Sequence, residues 1–401
     1  LSIKSYKNHR HFNRLNEARV DVFSNLITAS RVDTVSVTFE YGLSERELIL
    51  DTQETGTIVE QDAMALISTG EDVNGFASMR TKRNLRYVAG HEGFAQFTLG
   101  FTTGENGKNG IENANQLAGL FNDDNGYMIG FLGERFCVIR RRAGTDYITY
   151  QEDFNRDNLN GGADSEFDMI FSNSNLFRIR FGWLGASVII YETMTNDGEW
   201  IEFHRENYPN SEPMVSIIQP ILPVRYTVEK INADDTTIIM RTGSLNAGVV
   251  GEITRASERY FSASNLKDAI ANVRNNIFTL RSKDIYSGRP NTIESIFGFI
   301  STVSDTGAQL NNFELVLNAT LVGTPNWQDI EVDSTLEIDT QATTVEGGET
   351  VLQFGTRSTD STQIHLRDFL ISLFPNDTIS FVSIPDGNGD ARMSTRWRED
   401  F

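Results

Sequence analysis

Five histidines, at positions 9, 11, 91, 204 and 365, and one cysteine, Cys137, carry the widest chemical repertoire in this sequence. His9 and His11 lie two apart, a spacing a metal could use, but no third ligand stands near them. None of the five sits beside an acid and a nucleophile in the manner of a triad. Cys137 lies within Arg135-Phe-Cys-Val-Ile139, an apolar strand pattern, and reads as a buried inert thiol. A lone cysteine excludes an intrachain disulfide and a cysteine metal cage. Two acidic turns offer oxygens of the kind Ca²⁺ prefers. In Asn122-Asp-Asp-Asn125 the same side chains also satisfy a hairpin turn without any ion. In Asp386-Gly-Asn-Gly-Asp390, alternate residues match the first half of a calcium loop, but Trp397 stands where the distal bidentate Glu belongs. A glycine-rich hairpin is the alternative there. The metal candidates are therefore Asp123, Asp124, Asp386, Asn388 and Asp390, with calcium as the only cofactor in view.

Catalytic signatures are otherwise missing. The sequence contains no Gly-x-Ser-x-Gly elbow, no His-Glu-x-x-His, no phosphate-binding glycine loop and no dinucleotide fingerprint. Fifty-five acidic residues allow the carboxylate pair of a glycosidase at many places and single out none. The expectation is a non-enzymatic protein.

Composition narrows the partners. The chain has 401 residues, 35 Lys+Arg against 55 Asp+Glu, and a formal charge of −20. Binding duplex nucleic acid or an anionic membrane surface requires clustered positive charge, so neither is expected. No apolar run approaches the roughly 18 residues of a membrane-spanning helix. The cations Lys4, Lys7, Arg10, Arg14 and Arg19 are concentrated at the start, with His9 and His11 among them. They read either as an arm that docks on an acidic neighbour, such as another copy of the chain, or as a frayed terminus.

The elements that would position these residues are strands. Phe177, Ile179, Phe181 and Trp183 alternate with Arg178 and Arg180, which predicts a half-buried central strand, and a second apolar run follows at Val188–Tyr191. Leu117–Arg141 predicts hairpins, with Asn125-Gly126 as the turn signal. Thr103–Asn115 and Asn155–Ser165, rich in Asn and Gly, read as surface loops. Leu266, Ile270, Val273 and Ile277 recur at helical spacing behind Ser264, so Ser264–Asn276 predicts a short helix. Alternation resumes with Phe297 and Phe299 and continues to Ala391–Trp397. The expected architecture is all-β: two β-sandwich, jelly-roll-like domains with a connecting helix and an N-terminal arm. Its parts are an arm and attachment segment at 1–58, a large sandwich at 59–256, a helical linker at 257–285 and a smaller sandwich at 286–401.

Scattered stretches resemble a family of structural proteins from tailed phages and large DNA viruses. Val20-Asp-Val-Phe-Ser-Asn-Leu-Ile-Thr-Ala-Ser30 is similar to that family's N-terminal segment, with Ser24-Asn25 in place of its Gly-Arg. Arg83–Gly90 followed by Ala95-Gln-Phe-Thr98 resembles its Arg-Tyr-x-Pro-Gly stretch, and Asn125–Phe131 with Phe136–Arg141 resembles the hairpin that follows. Phe181-Gly-Trp-Leu-Gly185 and Leu222–Tyr226 match it best, and Ser394–Glu399 resembles a Trp-x-Glu ending. The resemblance implies a virion structural protein, on capsid or tail, assembling with copies of itself and neighbouring virion proteins as a fibre or decoration. The alternative is a lectin-like carbohydrate-binding module for a host-surface glycan, calcium-assisted, that uses the loops at 103–115 and 155–165.

Overall fold

A computed structural model describes residues 31–162, 165–232, 236–251, 258–306, 310–357, 360–366 and 369–401. The cationic arm, with His9 and His11, and the Val20–Ser30 stretch lie outside the described residues. The chain forms two compact units, Leu1–Thr254 and Arg255–Phe401.

The first unit stacks two antiparallel sheets. One has six strands in the order Arg31–Thr38, Ser244–Val250, Glu92–Leu99, Asn175–Phe181, Ile189–Met194, Trp200–Glu206. The other has seven, in the order Thr145–Tyr150, Arg135–Arg142, Asn125–Leu132, Ala114–Phe121, Val224–Lys230, Phe76–Thr81, Leu48–Gln53. A three-stranded sheet of Ile239–Thr242, Met64–Ser68 and Thr57–Gln61 completes it. Period-two alternation sends Phe177, Ile179 and Phe181 into the space between the large sheets, where all three are fully buried. Phe101, Phe131, Phe136 and Phe171 meet them there, with Phe136 and Phe171 ring centroids 4.3 Å apart. Tilted and edge-on aromatic pairs of this kind add roughly 0.5–1.5 kcal/mol beyond area burial.

The second unit is also built of sheets. Five strands form one sheet: Glu258–Ala269, Gly389–Asp400, Ser295–Thr306 and Ser361–His365 in order, with Ser372–Leu373 also beside Ser295–Thr306. The path of an eight-stranded sheet runs Thr320–Val322, Thr344–Glu346, Asn275–Ser282, Thr378–Pro385, Leu310–Leu317, Glu349–Arg357; Leu336–Asp339 and Gln328–Asp329 extend it laterally. Phe278, Phe297, Phe313, Phe381 and Trp397 make its core. A jelly roll has eight strands in two sheets; each unit here exceeds that count, and the jelly-roll expectation is corrected to an all-β, multi-sheet structure.

The connecting helix is corrected as well. Among the described residues the only helical element is a 3-10 turn at Gln151–Asp153. The segment expected to be helical runs from the strand Glu258–Ala269 through a turn into Asn275–Ser282. Leu266 and Ile270 are 47% and 60% exposed, so the helical spacing marks no buried stripe. Strand pairing wins because Glu258–Ala269 is matched residue for residue with Gly389–Asp400 over its whole length. Weak local helix preference yields to that many ladder bonds and to the burial of Phe261 and Ala269.

Two smaller corrections concern the hairpin and the central strand. Asn125 and Gly126 lie within a strand, Gly126 opposite Phe121, and the turn is Asn122–Asn125. Asn122 Oδ1 accepts the backbone N–H groups of Asp124 and Asn125, an Asx turn that sets the reversal one step early. Gly126 is required for another reason: at φ +150° a Cβ there would stand 2.2 Å from the Phe121 Cβ. The strand containing Phe177 ends at Phe181. Trp183 sits in the following loop, half-buried, with Nε1 donating to the Ile217 carbonyl at 3.0 Å.

Candidate functional site

Two polar assemblies in the first unit bear on function. One is a cup at one end of the sandwich, formed by the loop before Ala114–Phe121 and the segment between Thr145–Tyr150 and Asn175–Phe181. The two segments are tied together by the Phe171 N–H, which donates to the Gly107 carbonyl at 2.8 Å. Gly107 adopts φ +68°, and a Cβ there would lie 2.8 Å from the Ile170 Cγ2, so this close approach needs glycine. Further along, Met169 N–H donates to the Leu159 carbonyl and Gly161 N–H to the Phe167 carbonyl, each at 3.0 Å. Buried Asp157 anchors the turn, accepting from Leu159 N–H at 2.8 Å and from the Ser165 hydroxyl at 2.5 Å.

These bonds leave a cavity of about 280 Å³. Its floor is apolar, with Leu159, Met169 and Phe171 each only 1% exposed. Its rim is polar: Lys108, Asn109, Gln151, Glu152, Asn158, Asn160 and Asp168. Lys108 Nζ bonds Asp168 Oδ2 at 2.5 Å, with both side chains close to half exposed. Gln151 donates to the Asn158 carbonyl at 2.7 Å, and Asn158 donates to that of Glu152 at 3.2 Å. Arg135 pairs with Glu152 and lies over the Tyr150 ring. The amide of Asn109 is exposed and makes no hydrogen bond among the described residues. Such a rim offers donors and acceptors side by side, the requirement for recognising vicinal hydroxyl groups.

The second assembly lies on the six-stranded sheet, on the face away from the phenylalanines. Arg178 and Arg180 were expected on that face. Its other members, Glu92 and Glu192, became recognisable only through the strand register, which sets Arg180 beside Phe94 and Ile190. Arg180 Nε and NH2 each donate to Glu92 at 2.8 Å, and its NH1 reaches Glu192 at 3.4 Å. Arg178 Nε donates to Glu192 Oε2 at 2.5 Å and its guanidinium lies 4.0 Å from the Trp200 ring centroid. Burial works to lower the Arg180 pKa, but the Glu92 hydrogen bonds and the Glu192 charge outweigh it and raise the pKa. Arg31 is shifted down, first by burial and then by the charge of Arg178. The two carboxylates share a guanidinium and cross-link three strands, so each buried charge depends on its partners for compensation.

A third buried group joins the two large sheets. Arg140 Nε donates to Glu206 at 2.7 Å, while Tyr191 reaches the same carboxylate at 3.5 Å. Burial raises the Glu206 pKa against the opposing charge of Arg140. His204 packs at a tilt against Phe154 and Tyr191, its Nδ1 has no partner among the described residues, and burial pushes its pKa down to about 4.

None of the candidate calcium ligands lines the cup. Asp123 pairs with Arg225 at 2.5 Å; burial would raise its pKa, but the bond and charge of Arg225 hold it below the usual carboxylate range. Asp124 occupies the same turn. Asp386 accepts from Leu310 N–H at 3.2 Å and Asn388 from Ala271 N–H at 2.7 Å, so both brace loops. Asp390 stands in the strand Gly389–Asp400 opposite Asp268. Among the described residues no group of three His, Cys, Asp or Glu side chains is arranged to hold a metal ion. Cys137 is buried and its pKa is pushed up by burial to about 12.

No family model matches the chain, and no curated protein matches it. Among solved structures it is similar to a legume lectin-like domain from Entamoeba histolytica, at 16% identity and a TM-score of 0.34, over 56% of this chain and all of that one. It is similar to arcelin-5, a lectin-like defence protein from Phaseolus vulgaris, at 11% and 0.35, over 53% and 96%. It is similar to an endo-1,3-β-glucanase from Streptomyces sioyaensis at 9% and 0.37, over 54% and 95%. These scores carry no functional argument by themselves. The expectation of a virion structural protein on capsid or tail is nonetheless corrected: no family model and no curated protein ties the chain to a particle.

Proposed function

We propose that this chain is a non-enzymatic glycan-binding protein whose first unit seats a neutral sugar ring in the cup between the 103–113 loop and the 151–170 segment. The cup itself carries this reading. Its amide and charged rim suits the hydroxyls of a sugar, and the packed Leu159, Met169 and Phe171 beneath it hold that rim in place. The volume of about 280 Å³ falls just below the ~300–1,000 Å³ of pockets for drug-sized ligands, which suits one ring better than a long chain. None of Asp123, Asp124, Asp386, Asn388 and Asp390 lines the cup, so this reading assigns them no part in binding.

The test is a neutral-glycan array probed with the intact protein, with and without chelator, followed by calorimetry on a hit. Asp168→Ala and Asn160→Ala are each expected to weaken binding about tenfold or more, the loss of a hydrogen bond to a charged or well-placed polar group. Chelator is expected to change nothing. Undiminished binding by both variants, or no neutral glycan bound at all, refutes the assignment; release of new reducing ends refutes its non-enzymatic part.

A further inference from the structure

The second unit has a different surface on its five-stranded sheet. In the strand Gly389–Asp400, Ala391, Met393, Thr395, Trp397 and Glu399 point into the core, and Arg392, Arg396 and Arg398 take the opposite face. Register places Arg398 between Tyr260 and Ile296, and Arg396 between Ser262 and Phe299. Plain alternation would put Phe299 on the same side as Phe297, in the core. The pairing slips one residue at Gly298, which turns Phe299 out onto the arginine face, the usual effect of a bulge on the side chain after it.

The result is a groove of about 870 Å³, its walls including Tyr260, Phe299, Leu370, Gln363, His365 and Arg396. Tyr260 is 53% exposed and Leu370 69%. The Arg396 guanidinium lies 4.6 Å from the Tyr260 ring centroid. Arg398 is matched by Asp400 at 3.4 Å, but among the described residues no carboxylate pairs with Arg396 or Arg392. In a chain with 55 acidic and 35 basic residues, the uncompensated Arg396 beside exposed Tyr260, with Arg398 also lining the groove, makes a complementary site for an anion.

We propose that this groove binds an acidic, uronate-bearing oligosaccharide, independently of the cup in the first unit. A guanidinium placed over a tyrosine ring keeps N–H donors available for a bidentate carboxylate. Tyr260 and Phe299 supply faces for sugar C–H groups, and Gln363 and His365 supply hydrogen bonds to hydroxyls. The groove volume suits several rings. Nucleic acid fits poorly, since two arginines against a net charge of −20 neutralise too few phosphates.

The probe is an α-1,4-linked galacturonic acid tetramer titrated into the intact protein by calorimetry, beside its fully methyl-esterified, uncharged counterpart. The acid is expected to bind and the ester to bind about ten- to hundredfold more weakly, the effect of losing a hydrogen bond between charged groups. Arg396→Gln is expected to show the same loss, Arg396→Lys to recover part of it, and Asp168→Ala in the cup to leave it unchanged. Arg396 is exposed, so its variants keep the wild-type melting curve. Equal affinity for acid and ester, undiminished binding by Arg396→Gln, loss on Asp168→Ala, or no binding of the tetramer overturns the proposal. Neutral-glycan binding in the cup stands or falls separately.

Discussion

Removing the charge of Glu92 tests whether the buried arginine–glutamate array holds the six-stranded sheet together. In Glu92→Gln, Arg180 keeps one of its two 2.8 Å bonds to position 92 and the 3.4 Å contact with Glu192. Glu192 is already shared with Arg178, so two buried guanidinium groups then face one carboxylate, with Arg31 nearby. The side chains of Glu92 and Arg180 are 0% and 10% exposed, which leaves little water to screen the imbalance. Breaking a buried pair by removing one partner costs about 3–5 kcal/mol. Gln preserves one acceptor, which places this variant near 3 kcal/mol and Glu92→Met near the upper end. The double variant Glu92→Met/Arg180→Met removes both charges together and is expected within about 1 kcal/mol of wild type or more stable. The assay is urea titration read by hydrogen exchange in peptides covering 92–99 and 175–194, which isolates this sheet from the second unit. A cost below about 1 kcal/mol for Glu92→Gln, or a double variant worse than either single one, refutes the reasoning.

The remaining predictions concern single side chains. His204 has a folded pKa of about 4 against an ordinary 6.5, so an unfolded chain takes up a proton that the folded one excludes. Stability is therefore complete above about pH 6.5 and falls as pH drops toward 4, by about 3 kcal/mol in all; denaturation at several pH values should show this slope flattened in His204→Phe. Cys137 is expected to resist iodoacetamide at pH 8 in the native protein and to react on unfolding, as read by mass spectrometry; rapid native labelling would contradict its burial. Trp397→Ala should cost about 3–5 kcal/mol and half-buried Trp183→Ala only about 2, measured by chemical denaturation. Equal costs would show that exposure does not govern the difference.

Alternation located the central strand through Phe177, Ile179 and Phe181, and the last one through Ala391–Trp397, because a buried face imposes a period of two on the sequence. It placed Arg178 and Arg180 opposite the phenylalanines, and composition marked the two Asn/Gly-rich loops that border the cup. Local pattern failed where distant pairing decides. Glu258–Ala269 is a strand because Gly389–Asp400 lies beside it, more than a hundred residues away in the chain. Phe299 faces outward because one residue slips in the ladder at Gly298. Gln151, Lys108 and Asp168 join one rim only when two separate segments fold against each other. Glu92 and Glu192 become partners of Arg180 through register across three strands. Residue chemistry and periodicity are local properties and can be read along one dimension. Which carboxylate meets which guanidinium, and which loops enclose a cavity, depends on contacts between residues far apart in sequence, and those exist only in the folded sheets.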